Sequence, residues 1–354
     1  MHFPIRRSIR ALLRLVPWGL YRPMFPRPLV GLFYHSVSDE RLPHQVHTYP
    51  SEPVARFSTA LHYIQKHFNF VSYQQVEDFC LHGGTLPPRA LHLSFDDGFA
   101  ECFDVVRPIL LEHGIPATFF VVADWLDDRT MFYRHKQSLC VEQMNQLPPS
   151  ERAAALAAIN REFGVSLADA GSFADWAGEL PRSEDRTITR VADLIGLDLD
   201  AYLAGRQLYL TSDQLIQMHS EGFTIGAHTR THWKLADLDD AEQREAEVLD
   251  SARAVAALTG QARVPLAFPY TGKGIARSEL AGLRQRHPVL GLFFDTQKIR
   301  GDVPFVVQRI WAEQARYRQF GWQSNLPALL RDAYAAEAWR LISRFFTAGG
   351  RNQD

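Results

Sequence analysis

Cysteine, long apolar runs and an excess of either charge are all scarce in this sequence. Its three cysteines, Cys80, Cys102 and Cys140, are too few and too scattered for a disulfide framework or a zinc knuckle. No stretch of about 18 apolar residues is present, so we expect no membrane-spanning helix. The formal net charge of −2 gives no overall basic footprint for nucleic acid. These absences argue against a disulfide-rich secreted domain, an integral membrane protein and a nucleic-acid-binding protein.

What the chain does contain is enough apolar sequence for a large folded domain. Its 354 residues are 46% hydrophobic and 22% charged, a composition typical of globular proteins. This length fits one large α/β barrel or two ordinary domains.

Residues 1–27 are predicted to be a basic N-terminal arm, because they contain arginines and no acidic residue. Arg14 and Pro17 interrupt the apolar core that a signal peptide would need, so the predicted location is cytoplasmic. A basic helix with an aromatic end can also lie on an anionic membrane surface. Peripheral contact at the inner membrane face is therefore our hypothesis for the arm, and a short solvated or packed segment is the alternative.

Strands and helices alternate along most of the chain, and this alternation predicts a parallel sheet or barrel. Continuous apolar runs at 29–35 and 117–122 are typical of buried strands. In such folds the chemistry lies at the carboxyl ends of the strands. His35 and the pair Asp96 and Asp97 are expected at such ends.

The alternation lapses between residues 124 and 210, where we predict a mainly helical insertion. Helical patches are expected at 151–163 and 187–195, and the isolated His135 is expected to be structural or on the surface. An insertion beside a barrel rim often shapes the substrate groove. The predicted barrel runs over 28–320 around this insertion. A C-terminal helix and tail follow at 321–354, and the helix packs against the barrel or forms a dimer face.

Asp96 and Asp97 end an apolar, β-prone run and are followed by Gly98. Neighbouring side chains on a strand point to opposite sides, so one acid can be a metal ligand while the other acts as a base. A polar turn is the alternative, since Asp-Gly is a common turn pair.

His228 and His232 follow another predicted strand and lie four residues apart. Neutral imidazole is the commonest ligand for zinc-like metals, although this spacing alone is often incidental. With a carboxylate from a second strand end, the pair would form a site of two histidines and one acid. Such a site leaves coordination positions open for water and substrate.

Three motifs in order, at residues 94–98, 228–232 and 268–270, resemble those of the polysaccharide deacetylase family, also called the NodB-homology or carbohydrate esterase 4 family. The resemblance covers roughly residues 28–125 and 208–312. It implies an α/β fold, a distorted (β/α) barrel of the NodB-homology type. It also implies a hydrolase that removes acetyl groups, most often N-acetyl, from a bacterial-type polysaccharide or its lipid-linked precursor.

The resemblance also implies a role for each motif residue. Asp97, His228 and His232 would hold a divalent metal, usually Zn²⁺, with Co²⁺ and Ni²⁺ as alternatives. Asp96 would be the general base that deprotonates a water molecule whose pKa the metal lowers to about 7. The backbone N–H of Tyr270 would stabilise the oxyanion. The substrate-binding residues implied by the third motif are Phe268, Pro269 and Tyr270.

The chain departs from the family pattern twice. Ala267 stands where the family often has an arginine that tethers the catalytic acid, and no late Leu-x-His is present to protonate the leaving group. Subfamilies that act on exopolysaccharides resemble this chain in both respects. We predict that Arg309 replaces the missing arginine beside Asp96 and that His35 supplies or relays the proton. A salt bridge on the rim is the alternative for Arg309, and a satisfied core histidine is the alternative for His35.

Two other functions deserve comparison with a metal-dependent deacetylase. A non-catalytic carbohydrate-binding module would keep the fold, but it would not need a base beside a metal. A glycosidase would need its two carboxyls about 5–10 Å apart around the bond, which adjacent aspartates supply poorly. We therefore predict an enzyme whose partner is an acetylated oligo- or polysaccharide.

Overall fold

The structure is a computed structural model that describes residues 16, 19–21, 28–49, 51–314 and 326–348. The predicted basic arm at 1–27 and the tail at 349–354 lie largely or wholly outside the described residues. The membrane contact and the cytoplasmic location therefore stay predictions. No described helix is both long enough and apolar enough to cross a bilayer.

Parallel strands form one sheet, which closes into a barrel. The strand order is β1-β8-β7-β6-β5-β4-β3, and β3 pairs back with β1. The short strand β2 pairs with β3 alongside the closed ring. The predicted distorted (β/α) barrel is thus confirmed, with seven strands in the ring. The strands are β1 (Leu29–Tyr34), β2 (Asn69–Phe70), β3 (Ala90–Phe95), β4 (Ala117–Val121), β5 (Thr224–Ala227), β6 (Val264–Ala267), β7 (Leu290–Asp295) and β8 (Val306–Trp311).

Helices cover the outside of the barrel and form the insertion. All residues of β3, β4 and β7 are buried, as expected for parallel strands that have one face inside a barrel and the other under helices. The described helices are α1 (Val54–His67), α2 (Tyr73–His82), α3 (Arg107–Glu112, after a π-helical turn at Cys102–Val106), α4 (Tyr133–Gln146), α5 (Pro149–Phe163), α6 (Ala170–Glu179), α7 (Asp185–Leu194), α8 (Leu199–Gly205), α9 (Ser212–Ser220), α10 (Ala241–Thr259), α11 (Arg277–Arg286) and α12 (Leu326–Ala348).

Helices α4 to α8 make up the insertion between β4 and β5. Helices α5 and α7 correspond to the two patches predicted there, and α4, α6 and α8 were not anticipated from the sequence. The insertion has an apolar core of its own, which includes Met144, Ile159 and Phe173. It is tied to the barrel by Glu142 of α4, which pairs with Arg41 from the loop after β1. This connection holds α4 over the carboxyl ends of the barrel strands.

His135 of α4 is fully buried, so the structural interpretation is confirmed and a surface position is wrong. Its Nδ1 atom and the Tyr209 hydroxyl are hydrogen-bonded at 2.7 Å. Burial holds the pKa of His135 well below its ordinary value, so the imidazole is neutral. This hydrogen bond connects α4 to the segment between α8 and α9, which contains Tyr209.

Helix α12 packs against the barrel along its first turns. Leu330, Tyr334 and Ala338 are buried and belong to the main hydrophobic core. These residues recur at helical spacing. Of the two arrangements considered for the helix, packing against the barrel is the one found for the face that carries these three residues.

Candidate active site

Residues at or just after the ends of six strands line one pocket of about 530 Å³ at the carboxyl end of the barrel. His35 follows β1, Asp96 and Asp97 follow β3, and His228 follows β5. Tyr270 follows β6, and Trp311 ends β8. Parallel strands present their carboxyl ends at the same rim, which explains how residues so distant in sequence share one pocket.

Asp97, His228 and His232 converge on one point in this pocket. The Asp97 Oδ1 atom lies 3.3 Å from Nε2 of His228 and 3.2 Å from Nε2 of His232. All three side chains are buried, and among the described residues they are the single group of acids, histidines or cysteines with such convergence. Burial by itself raises the pKa of Asp97, but the nearby imidazoles of His232 and His228 hold it well below its ordinary value.

Neighbouring groups orient two of these three side chains. The Nδ1 atom of His228 donates to the backbone oxygen of Ala267 at 2.9 Å, so its Nε2 lone pair points toward Asp97. The Tyr49 hydroxyl donates to Oδ2 of Asp97 at 2.5 Å and leaves Oδ1 as the converging oxygen. Two imidazole nitrogens and one carboxylate oxygen are the ligands that zinc-type cations accept in sites with open positions. The residues therefore fit a divalent cation.

The backbone of the site is held in the left-handed region at several residues that are not glycine. The φ angles are 74° at Asp97, 66° at His232 and 60° at Tyr270. Such conformations cost of order 1–3 kcal/mol each and cluster at functional sites. At Gly98, with φ of 69°, an added Cβ would lie 2.9 Å from Cγ1 of Val121, so only glycine fits behind the acid pair.

Arg309 of β8 reaches across the barrel to Asp96. Its Nη1 and Nη2 atoms donate to the two carboxylate oxygens at 2.6 and 2.8 Å, and Nη1 also donates to Ser94 Oγ at 2.9 Å. The guanidinium is 0% exposed and lies 4.4 Å from the Phe33 ring centroid. Gly31 makes room for it, since a Cβ there would lie 2.8 Å from Arg309 Cγ. A salt bridge on the rim is therefore wrong, and Arg309 lies behind the pocket against Asp96.

We expect substitution of Arg309 to destabilise the fold, because it leaves a buried carboxylate without its partner. Arg309→Lys loses the bidentate geometry and should cost about 1–3 kcal/mol. Arg309→Met leaves the charge of Asp96 buried and unpaired and should cost about 3–5 kcal/mol. Urea denaturation measures both free energies of unfolding, with the exposed Arg186→Met as the control. Equal unfolding midpoints for Arg309→Met and the unaltered chain would contradict the expectation.

His35 is paired with a carboxylate that the sequence interpretation missed. Glu313, two residues after β8, accepts hydrogen bonds from Nδ1 of His35 and from the His35 backbone nitrogen. The indole Nε1 of Trp311 lies 3.3 Å from the same carboxylate oxygen. Burial lowers the pKa of His35, but the charge and hydrogen bond of Glu313 outweigh it and raise that pKa to about 9. The Glu313 partner therefore favours the protonated form of His35 at neutral pH, and the side chain lies in the pocket wall.

The third motif places one of its three residues toward the open side of the pocket. Phe268 is 1% exposed and stacks on Phe293, with ring centroids 5.5 Å apart, and Pro269 is also buried. Tyr270 is 46% exposed, and its ring centroid lies 5.2 Å from that of His232. Within the described part of the chain, no group accepts a hydrogen bond from the Tyr270 backbone N–H. This donor is free for a ligand.

The sequence interpretation did not single out Tyr49 and Arg134, which line the pocket, or Glu313, which lies behind His35. Glu313 follows a strand end, so the rule that identified His35 and Asp96 also applies to it. Tyr49 lies in a long polar loop and Arg134 at the start of α4, where no periodicity or spacing marks a functional residue. Their positions depend on how the loop and the insertion fold over the barrel.

Comparison with known proteins gives the same fold and a family. IcaB from Ammonifex degensii superposes with a TM-score of 0.51 at 15% identity, over 86% of this chain and 97% of that one. The Streptococcus pyogenes deacetylase PplD, solved in complex with acetate, superposes with a TM-score of 0.50 at 14% identity, over 81% and 93%. No curated protein sequence matches. The profile described as polysaccharide deacetylase matches residues 83–161 and 181–281, just over half of the chain. The chain therefore belongs to the polysaccharide deacetylase family and is a carbohydrate deacetylase.

Proposed function

We propose that this deacetylase uses a divalent cation, most simply Zn²⁺, to remove N-acetyl groups from a bacterial-type polysaccharide or its lipid-linked precursor. One observation carries the proposal: Oδ1 of Asp97 lies between the two Nε2 atoms of His228 and His232, in the pocket that Asp96 also lines. When bound by these three residues, the cation would lower the pKa of a water molecule to about 7 and polarise the acetyl carbonyl.

Asp96 is the base that takes the proton from the attacking water molecule. Its two oxygens are held by Arg309 at 2.6 and 2.8 Å, so the carboxylate keeps one orientation. Because the carboxylate is already oriented, no free energy is spent on orienting it toward the water molecule during the reaction. Arg309 acts through Asp96 and is a positioning residue.

The backbone N–H of Tyr270 stabilises the negative charge that develops on the acetyl oxygen. This donor makes no hydrogen bond within the described residues and belongs to the pocket wall. Its left-handed φ of 60° fixes its direction before substrate binds. A preorganised donor of this kind contributes most when charge develops in a site that excludes water.

His35 gives its proton to the departing nitrogen when the carbon–nitrogen bond breaks. Its Nδ1 atom is engaged by Glu313, so Nε2 is the nitrogen that donates. The water oxygen ends in acetate, the second proton of the water passes to solvent, and the sugar leaves as a free amine. The proton taken up by Asp96 returns to His35 through solvent. A protonated acid favours N-acetyl over O-acetyl substrates, because an amine leaves only when its nitrogen is protonated.

Acetate release and cation content together test this function. The purified chain is expected to release acetate from N-acetylglucosamine oligosaccharides, to lose this activity on chelation and to regain it with Zn²⁺, Co²⁺ or Ni²⁺. His228→Ala and His232→Ala should lose both cation and activity, while the exposed His62→Ala keeps both. Full activity in a sample shown by elemental analysis to be free of metal would overturn the proposal.

A further inference from the structure

A second pocket, of about 510 Å³, opens beside the active-site pocket. Arg134, His232 and Tyr270 belong to the walls of both. The rest of its wall comes from the end of α6, the segment after it and the loop that follows His232. One oligosaccharide can therefore occupy both pockets. Its acetamide would lie in the active-site pocket beside His232, and the adjacent sugar would lie in the second pocket, between the insertion and the barrel.

Two arginines of the insertion give this second pocket its charge. Arg134 lies in the first turn of α4, and Arg182 lies between α6 and α7. Among the described residues, neither guanidinium has a carboxylate oxygen within ion-pair distance. Lys234 differs, since its Nζ lies 2.6 Å from Oδ1 of Asp237. The remaining carboxylate of the wall, Glu179, is exposed to solvent. The three basic side chains of the wall therefore exceed its two carboxylates by one formal charge.

Aromatic and backbone contacts hold both guanidiniums in place. Arg182 lies 4.5 Å from the Trp233 ring centroid, and its Nη1 donates to the backbone oxygen of Thr231 at 2.6 Å. Arg134 lies 5.3 Å from the Tyr133 ring centroid and also interacts with the Tyr270 side chain. The arginines are thus ordered without using a protein carboxylate. Aromatic faces beside fixed guanidiniums suit a sugar ring that carries an anionic group.

We propose that this second pocket is an anion subsite, which binds a carboxylate or phosphate on the unit next to the sugar being deacetylated. The proposal rests on the proposed function and adds a substrate class to it, namely acetylated glycans with an anionic group one unit away from the acetamide. Arginine binds carboxylate and phosphate with two parallel hydrogen bonds. Arg134 and Arg182 select this substrate, and Arg134 is the better test because Arg182 also supports the loop of His232.

A matched pair of oligosaccharides tests the subsite during turnover. One alternates glucuronate and N-acetylglucosamine, and the other is its methyl ester, in which only the negative charge is removed. The unaltered chain should have a higher kcat/KM for the charged form, chiefly through KM. Arg134→Gln should reduce this preference about tenfold or more, as expected for loss of a hydrogen bond to a charged group. Arg134→Lys should keep part of it, and the exposed Arg186→Gln should keep all of it. A disaccharide of N-acetylglucosamine with an adjacent 6-phosphorylated sugar, compared with its dephosphorylated form, tests whether a phosphate one unit away is bound in place of the carboxylate.

A binding measurement separates failure of the subsite from failure of the proposed function. Both oligosaccharides are prepared with methanesulfonamide in place of acetamide, so that the enzyme cannot hydrolyse them. Their dissociation constants are then measured by calorimetry. Preferential binding of the charged form that is lost in Arg134→Gln supports the subsite, even if no acetate is released from any substrate. Equal binding and equal turnover of the charged and ester forms by the unaltered chain would overturn the subsite and leave the deacetylase function intact.

Discussion

Asp96→Asn is expected to reduce acetate release by about 10²–10⁴-fold, the usual contribution of a general base, while the cation is still bound. The amide keeps the shape of the carboxylate but cannot accept the proton of the attacking water. The cation ligands are the neighbouring Asp97 and the two histidines, which the substitution does not remove. The loss should appear in kcat, because the base acts in the chemical step.

Three variants distinguish a catalytic loss from a structural one. Asp97→Asn should lose the cation as well as the activity, whereas the exposed Asp175→Asn should retain both. Elemental analysis and kcat are measured on the same samples, and circular dichroism checks the fold. If Asp96→Asn turned over at nearly the rate of the unaltered chain with its cation in place, Asp96 would not be the base.

The alternation of apolar runs was enough to predict the elements of the barrel, because strand and helix periods are local properties of the sequence. The apolar runs at 29–35 and 117–122 were expected to be strands and are found as β1 (Leu29–Tyr34) and β4 (Ala117–Val121). Closure of the ring depends on pairing between β1 and β3, which no local pattern encodes. The barrel was predicted from the family resemblance, and the pairing confirms it. Inside the insertion, charged and alanine-rich segments blurred the helical pattern, so three of its helices were not anticipated.

The acid pair and the histidine pair could be identified from sequence because each is compact. Arg309 was proposed as the partner of Asp96 only because Ala267 stands where the family often has an arginine. The structure brings the side chains of Arg309 and Asp96 together although they are 213 residues apart in sequence. Glu313 was missed although it follows a strand end like His35. The role of Glu313 depends on its contact with His35, which is 278 positions away in sequence and which no local pattern reveals. The catalytic roles of Arg309 and His35 stay predictions, which mutation tests.

His35→Gln is expected to reduce kcat on N-acetylated oligosaccharides by about 10²–10⁴-fold, because the departing nitrogen loses its proton donor. The Glu313 partner makes this role testable by pH as well. The protonated form of His35 is the active one, and Glu313 raises its pKa to about 9. Activity should therefore be present at neutral pH and fall as the pH rises through the pKa of His35.

Glu313→Gln should move that fall in activity to lower pH. Without the carboxylate, burial remains, and burial lowers the pKa of an imidazole. His35 would then lose its proton closer to neutral pH, and kcat at high pH would decline further than kcat at low pH. The pH dependence of kcat is compared for the unaltered chain, Glu313→Gln and the exposed Glu112→Gln, which should behave like the unaltered chain. An alkaline limb that stays in place in Glu313→Gln would mean that a group other than His35 protonates the leaving amine.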